Sequence, residues 1–146
     1  MSAAFEQFIR QNANLQFFSW RELLFPGDAH GNRRSAGFGL NGDPPSNLWG
    51  NVIPTIQILD ALRAELGAPI RIISAYRTPA YNRAIGGALR SYHTTFQAID
   101  FVAARGTPSV WAQELKEMRH AGLFKGGIGL YRGFVHVDTR GWNADW

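Results

Sequence analysis

Cysteine is absent from the 146-residue chain. Disulfide staples and thiolate zinc sites are thereby excluded together, and any metal must be held by His, Asp or Glu. Four His and eleven acids remain as candidates. Also missing is any apolar run near the roughly 20 residues that a membrane-crossing helix needs. The opening "MSAAFEQFIRQNANLQFF" has neither the basic start nor the apolar middle of a secretory leader, so synthesis in the cytoplasm without a signal peptide is expected. Charged residues are sparse at 18%. Lys and Arg are scattered, with "NRR" at Asn32 to Arg34 the one local cluster, which does not make a nucleic-acid surface.

What is present is apolar: 45% hydrophobic and 13% aromatic residues. That suffices for one sizeable core, in a chain too short for two comfortable domains, so a single domain over residues 1–146 is expected. The net charge of +4 favours an anionic partner such as nucleic acid, a phospholipid surface or the acidic polymers of a cell wall, and charge alone does not choose among them.

Ser19 with Glu22 three residues on is a capping-box pattern and predicts a short helix. From Phe25 to Trp49 the chain is rich in Gly, Pro, Asn and Asp. This reads as a long irregular loop, either a flexible insertion or part of a site. Val52, Ile56, Leu59, Leu62 and Leu66 recur at helical spacing, and Gly67 follows as a stop. "PIRIISAY" and "QAIDFVAA" read as strands. Each is followed by a Thr–Pro start, at Thr78–Pro79 and Thr107–Pro108, that predicts a helix. "GGIGLY" and "FVHVDTR", separated by Arg132 and Gly133, read as a tight antiparallel hairpin. Helices early and strands bunched late indicate an α+β domain with a small antiparallel sheet flanked by helices.

In the last strand His136 and Asp138 are two positions apart and share a face, while Val135 and Val137 take the other. Asp100 is opposite in parity to Ile99 and Phe101. If the two strands are neighbours, Asp100, His136 and Asp138 converge, and His93 reaches them from the preceding loop. Two His and a carboxylate around one point make a zinc site with an open fourth position, the form of a catalytic site. The same spacing also fits a hydrogen-bonded His–Asp pair with no metal, and spacing does not decide between them.

"SAYRTPAYNRAIGGALRSYHTTFQAIDF" followed by "GGIGLYRGFVHVDTRG" resembles the zinc D-Ala-D-Ala carboxypeptidase family. That family includes L-alanyl-D-glutamate endopeptidases, vancomycin-resistance dipeptidases and murein endopeptidases, and the likeness is to its D-Ala-D-Ala carboxypeptidase-like C-terminal branch. The pattern is S-x-Y-R at Ser74, Tyr76 and Arg77, then S-x-H with Asp seven residues on at Ser91, His93 and Asp100, then H-x-D at His136 and Asp138. The resemblance implies a hedgehog-like zinc fold in which His93, Asp100 and His136 bind one Zn2+. Arg77 then holds a substrate carbonyl oxygen or terminal carboxylate, with Ser91 and Tyr76 also at the substrate.

Other branches carry an acid three residues before the last His ligand, where this chain has Gly133, which leaves Asp138 as the candidate general base or as an orienting partner of His136. Phe96 replaces a Gly common in the family and is expected to cover the site or narrow access. Tyr81 and Asn82 match the family's "YN" and are expected to order the loop holding Arg77. His30 and His120 are left out of the metal set, and Trp49, Trp111, Trp142 and Trp146 are read as packing residues. The implied activity is hydrolysis of an amide bond in the peptide stem of bacterial peptidoglycan, by a carboxypeptidase or endopeptidase, as a monomer. A phage or prophage endolysin reaching the wall after lysis fits the expected absence of a leader. The alternative is a non-catalytic wall-binding or structural domain on the same fold.

Overall fold

A computed structural model describes residues 2–146. Its helices, in chain order, are α1 (Ser2–Asn12), α2 (Trp20–Leu23), α3 (Asp28–Gly31), α4 (Ile53–Leu66), α5 (Pro79–Ala84) and α6 (Pro108–His120), with a 3-10 segment at Ser46–Val52 leading into α4. The caps read from the sequence are formed. Thr78 Oγ1 accepts from Tyr81 N at 3.1 Å, Thr107 Oγ1 accepts from Val110 N at 3.4 Å, and Glu22 reaches back to Ser19 N at 2.7 Å. Gly67 ends α4 at φ +60°, in the left-handed region where glycine carries no steric penalty. α1 was not expected. Its core-facing stripe is only Phe5 and Ile9, a pair one turn apart that leaves little periodic signal. Phe5 is held edge-on against Trp49, ring centres 5.2 Å apart.

The strands are β1 (Ile70–Ser74), β2 (Ala98–Ala103), β3 (Gly127–Leu130), β4 (Val135–Asp138) and β5 (Ala144–Asp145), in the sheet order β1-β2-β4-β3-β5. The fold is α+β, and every pairing is antiparallel except that of β5, an unanticipated two-residue edge strand running parallel to β3. The hairpin closes as expected around Arg132 and Gly133, with Tyr131 N donating to Phe134 O at 3.1 Å.

Alternation gives the sheet two different faces. Ile99, Phe101, Val135 and Val137 are fully buried on the core side with Ile56, Leu59 and Leu115. Burying a side chain of this size contributes about 1.5–3 kcal/mol. The other face carries a row set by the register: Ser74 opposite Asp100, Asp100 opposite His136, and His136 opposite Gly129. Polar side chains therefore line up across three strands on the side away from the core, with a glycine beside them on the fourth.

The Phe25–Trp49 stretch is the second thing that positions this row. It is docked onto the segment after β1 through buried Asn41, whose Nδ2 donates to Pro26 O (2.9 Å) and Tyr76 O (3.0 Å) while its Oδ1 accepts from Thr78 N (2.9 Å). Thr78 Oγ1 also donates to Leu40 O at 2.8 Å. The loop braces the chain on either side of Arg77. Among the described residues no helix is long and apolar enough to cross a membrane.

Candidate active site

Asp100 and His136 face each other across β2 and β4, and His93 is brought to them by the turn Ser91–Gln97. In that turn Ser91 Oγ accepts from His93 N at 3.2 Å, Thr94 Oγ1 donates to Ser91 O at 2.7 Å, and Arg77 N donates to His93 O at 3.1 Å. The turn needs a left-handed residue at Phe96, whose φ is +60°. This is where glycine would fit without strain. The Phe96 ring is fully buried in the core, 6.2 Å from the Phe5 ring and edge-on to Tyr76 at 5.9 Å. It does not cover the site. Tyr76 is buried against Phe96, which raises its pKa, and it backs the turn and is not part of the groove's lining. Ser91 does line the groove, with its hydroxyl turned to His93.

The ligand atoms converge. His93 Nε2 lies 3.1 Å from Asp100 Oδ1 and His136 Nδ1 lies 2.9 Å from the same oxygen. Each of the three residues offers a donor atom within 4.8 Å of the others, and all three residues are buried. His93 Nδ1 is 2.7 Å from Ala75 O. A carbonyl oxygen only accepts, so the proton sits on Nδ1 and Nε2 presents its lone pair to Asp100. His136 has a carboxylate at each nitrogen, Nε2 at 2.7 Å from Asp138 Oδ2 and Nδ1 at 2.9 Å from Asp100 Oδ1; in the neutral ring the shorter contact favours the proton on Nε2 and leaves the Nδ1 lone pair toward Asp100. With both rings neutral, as ligands must be, two lone pairs and a carboxylate oxygen point at one another. Such a set calls for a cation, and His2Asp suits zinc.

Charge supports the same assignment. Burial pushes the His93 pKa down, keeping it neutral as a ligand must be, although Asp100 pulls the other way. For Asp100, burial opposes ionisation, but the charge and hydrogen bonds of the two imidazoles outweigh it and hold the carboxyl well below the usual range. His136 is raised: burial alone would lower it, yet hydrogen bonds and charge from Asp100 and Asp138 prevail. In metal-free protein these carboxylates favour a proton on the Nδ1 that a metal would take.

Asp138 is fully buried. Its Oδ1 accepts from Gly127 N (2.9 Å), Arg140 N (3.2 Å) and Arg140 Nε (2.9 Å), and its Oδ2 accepts from Arg140 Nη2 and His136 Nε2, both at 2.7 Å. Every lone pair is engaged and neither oxygen reaches the groove. This geometry runs against Asp138 as a general base and fits a group that fixes the His136 ring. Gly133 has open space around it and supplies no acid either.

Arg77 lines the groove and is also anchored: Nε donates to Ser74 Oγ (2.9 Å), Nη1 to Asn82 Oδ1 (3.2 Å) and Nη2 to Asp100 Oδ2 (3.0 Å). Asn82 in turn donates to Ala88 O at 2.8 Å, so it links Arg77 to the segment after α5. The groove has a volume of about 570 Å³. Sequence reasoning missed Arg140, Tyr92, Tyr131 and Trp146, which also line it. Arg140 lies 4.4 Å over the Tyr92 ring and 5.1 Å from that of Trp146. Trp146 was read as packing, but it is about half exposed and its ring centre is 5.0 Å from that of His136. The available signal was the alternating glycines of "GGIGLY": a Cβ at Gly129 would lie 2.6 Å from Trp146 Nε1.

The buried His2Asp cluster at the floor of an open groove is a donor set suited to a catalytic metal with an open coordination position. Residues 32–138 match the family described as Peptidase M15, and the chain belongs to that family. It is similar to the peptidoglycan L,D-endopeptidase MepK of Escherichia coli (strain K12), 38% identical over 80 residues that cover 49% of this chain and 40% of that protein. The MepK proteins of Escherichia coli O157:H7 and Shigella flexneri match with the same identity and coverage. The matched stretch thus takes in less than half the length of these curated relatives.

Proposed function

We propose that this chain is a zinc-dependent peptidase that hydrolyses an amide bond in the peptide stem of bacterial peptidoglycan, as an endopeptidase and as a monomer. The observation that carries the reading is the pair of imidazole lone pairs aimed at one Asp100 oxygen on the floor of an open groove. The family and the likeness to proteins named as peptidoglycan L,D-endopeptidases support the substrate class and favour an endopeptidase over a carboxypeptidase. The place of action is then the cell wall, whose acidic polymers suit a net charge of +4.

His93 Nε2, Asp100 and His136 Nδ1 would hold one zinc ion. When bound, zinc supplies a Lewis acid that polarises a carbonyl and eases loss of a proton from water near neutral pH. Arg77 has spent three of its five N–H groups on Ser74, Asn82 and Asp100. The remaining two, on Nη1 and Nη2, are available to a substrate carbonyl oxygen as it gains charge. Asp138 keeps the His136 proton on Nε2. Ser91 shapes the turn that presents His93.

One observation favours a second reading, a wall-binding domain without turnover: Asp138 is sealed and Gly133 has no side chain, so no free carboxylate is offered for proton transfer. Digestion of isolated peptidoglycan with mass analysis of released fragments, with and without chelator, separates the two. Chelator-sensitive release of fragments ending within the peptide stem supports the peptidase, and the fragment masses name the bond. Wall binding with no release supports the alternative.

A further inference from the structure

Hydrolysis of an amide needs a group that can hand a proton to the departing nitrogen, and the groove is short of candidates. Among the described residues its only carboxylate is Asp100, which sits between the two imidazoles. The remaining basic side chains of the lining are guanidinium groups, a poor source of protons in any setting. The Tyr92 ring lies beneath Arg140.

Tyr131 is different. It lines the groove and is 42% exposed. Its ring is stacked on Phe134, centres 4.4 Å apart and planes within 6°. Its hydroxyl accepts a 2.8 Å hydrogen bond from Trp146 Nε1. An indole N–H can only donate, so this contact occupies a lone pair of the phenol and leaves the phenol's own proton free for another acceptor.

The sheet is shaped to place that donor. Trp146 follows edge strand β5, yet its ring reaches to 5.0 Å from His136 on β4, across the intervening β3. It can do so because β3 carries glycine at both positions on that face. A Cβ at Gly127 would lie 3.0 Å from the Trp146 ring, and one at Gly129 would lie 2.6 Å from its Nε1.

We propose that Tyr131 is the catalytic proton donor of this site and that Trp146, lying in the glycine trough of β3, is the positioning residue that fixes its hydroxyl. The inference rests on the peptidase reading above. As the water oxygen bonds to the carbonyl carbon, the C–N bond breaks with its electron pair passing to nitrogen. Tyr131 Oη gives that nitrogen its proton. The phenolate recovers one from the water that has added, so the phenol ends as it began.

The test is a double-mutant cycle on the zinc-loaded protein, read with purified peptidoglycan fragments. Tyr131→Phe is expected to lower kcat by about 100-fold, with KM, zinc content and Tm close to wild type. Trp146→Phe keeps an aromatic wall but loses the N–H, and is expected to cost about tenfold in kcat. Added to Tyr131→Phe it costs nothing further, because the residue it positions is already gone. A second readout needs no turnover. The Trp146 indole N–H resonance, assigned by its loss in Trp146→Phe, should shift toward the position of a solvent-exposed indole in Tyr131→Phe, with or without metal. An active wild type with an equally active Tyr131→Phe overturns this inference alone. A wild type that binds zinc and releases nothing overturns the peptidase reading and takes this inference with it.

Discussion

Replacing Asp138 by Asn separates the two chemistries open to that residue. The carboxylate is fully buried, and its oxygens meet only donors, from Gly127, Arg140 and His136. The amide keeps one acceptor but turns an NH2 toward donors on the other side. His136 then has at best a neutral amide in place of the carboxylate that fixes its tautomer, and partners of this kind contribute about 10–100-fold in metal affinity. That corresponds to about 1.4–2.8 kcal/mol. The same change strips a counterion from Arg140, whose side chain is 15% exposed. Breaking a buried pair on one side costs about 3–5 kcal/mol. At about 2–4 °C per kcal/mol for a chain of this size, Tm should fall by about 6–20 °C. Competition titration against a chromophoric chelator, paired with kcat at saturating zinc, reads both consequences. The zinc Kd should rise 10–100-fold while kcat at saturation stays within about tenfold of wild type. A zinc Kd that does not move, with kcat down by about 100-fold or more, is the signature of a general base and rules out a purely orienting Asp138.

Arg77→Lys keeps the charge but cannot span Ser74, Asn82 and Asp100 together, so single-turnover rates should drop about 100-fold with zinc content unchanged. Phe96→Ala and Phe96→Gly both lose a buried ring, at about 3–5 kcal/mol. Glycine relieves the +60° φ, so Phe96→Gly should be the more stable of the two by about 1 kcal/mol in denaturant unfolding, the reverse of the usual order. Zinc affinity should climb with pH through neutrality. In metal-free protein, against burial, Asp100 and Asp138 raise the His136 pKa above its ordinary value, so a proton competes for Nδ1 until the pH passes that raised value. The expected slope is about tenfold per pH unit while one proton is displaced, levelling off above it, measured by the same chelator competition at a series of pH values.

The site's frame was legible because it depends on local rules. Parity along a strand puts Asp100 and His136 on the polar face, and two neighbouring antiparallel strands make them meet. The Thr–Pro and capping-box starts depend on a few adjacent residues and appear where the sequence places them. What was not legible depends on distant partners. The placement of Asp138 away from the groove follows from Arg140 and Gly127 closing over it. Tyr76 packs edge-on against the buried Phe96 ring, a contact between segments far apart in the chain. Trp146 reaches the site only because two absent side chains on β3 make room, and an absence of atoms carries no hydrophobic pattern. β5, at two residues, is too short to show alternation.

Metal content of the purified protein and of its ligand variants decides whether His93, Asp100 and His136 hold zinc. After dialysis against metal-free buffer, about one zinc per chain is expected in wild type, and none in His93→Ala or His136→Ala, both still folded by circular dichroism. Wild-type protein without zinc at neutral pH, or full zinc retained in both variants, would contradict that assignment.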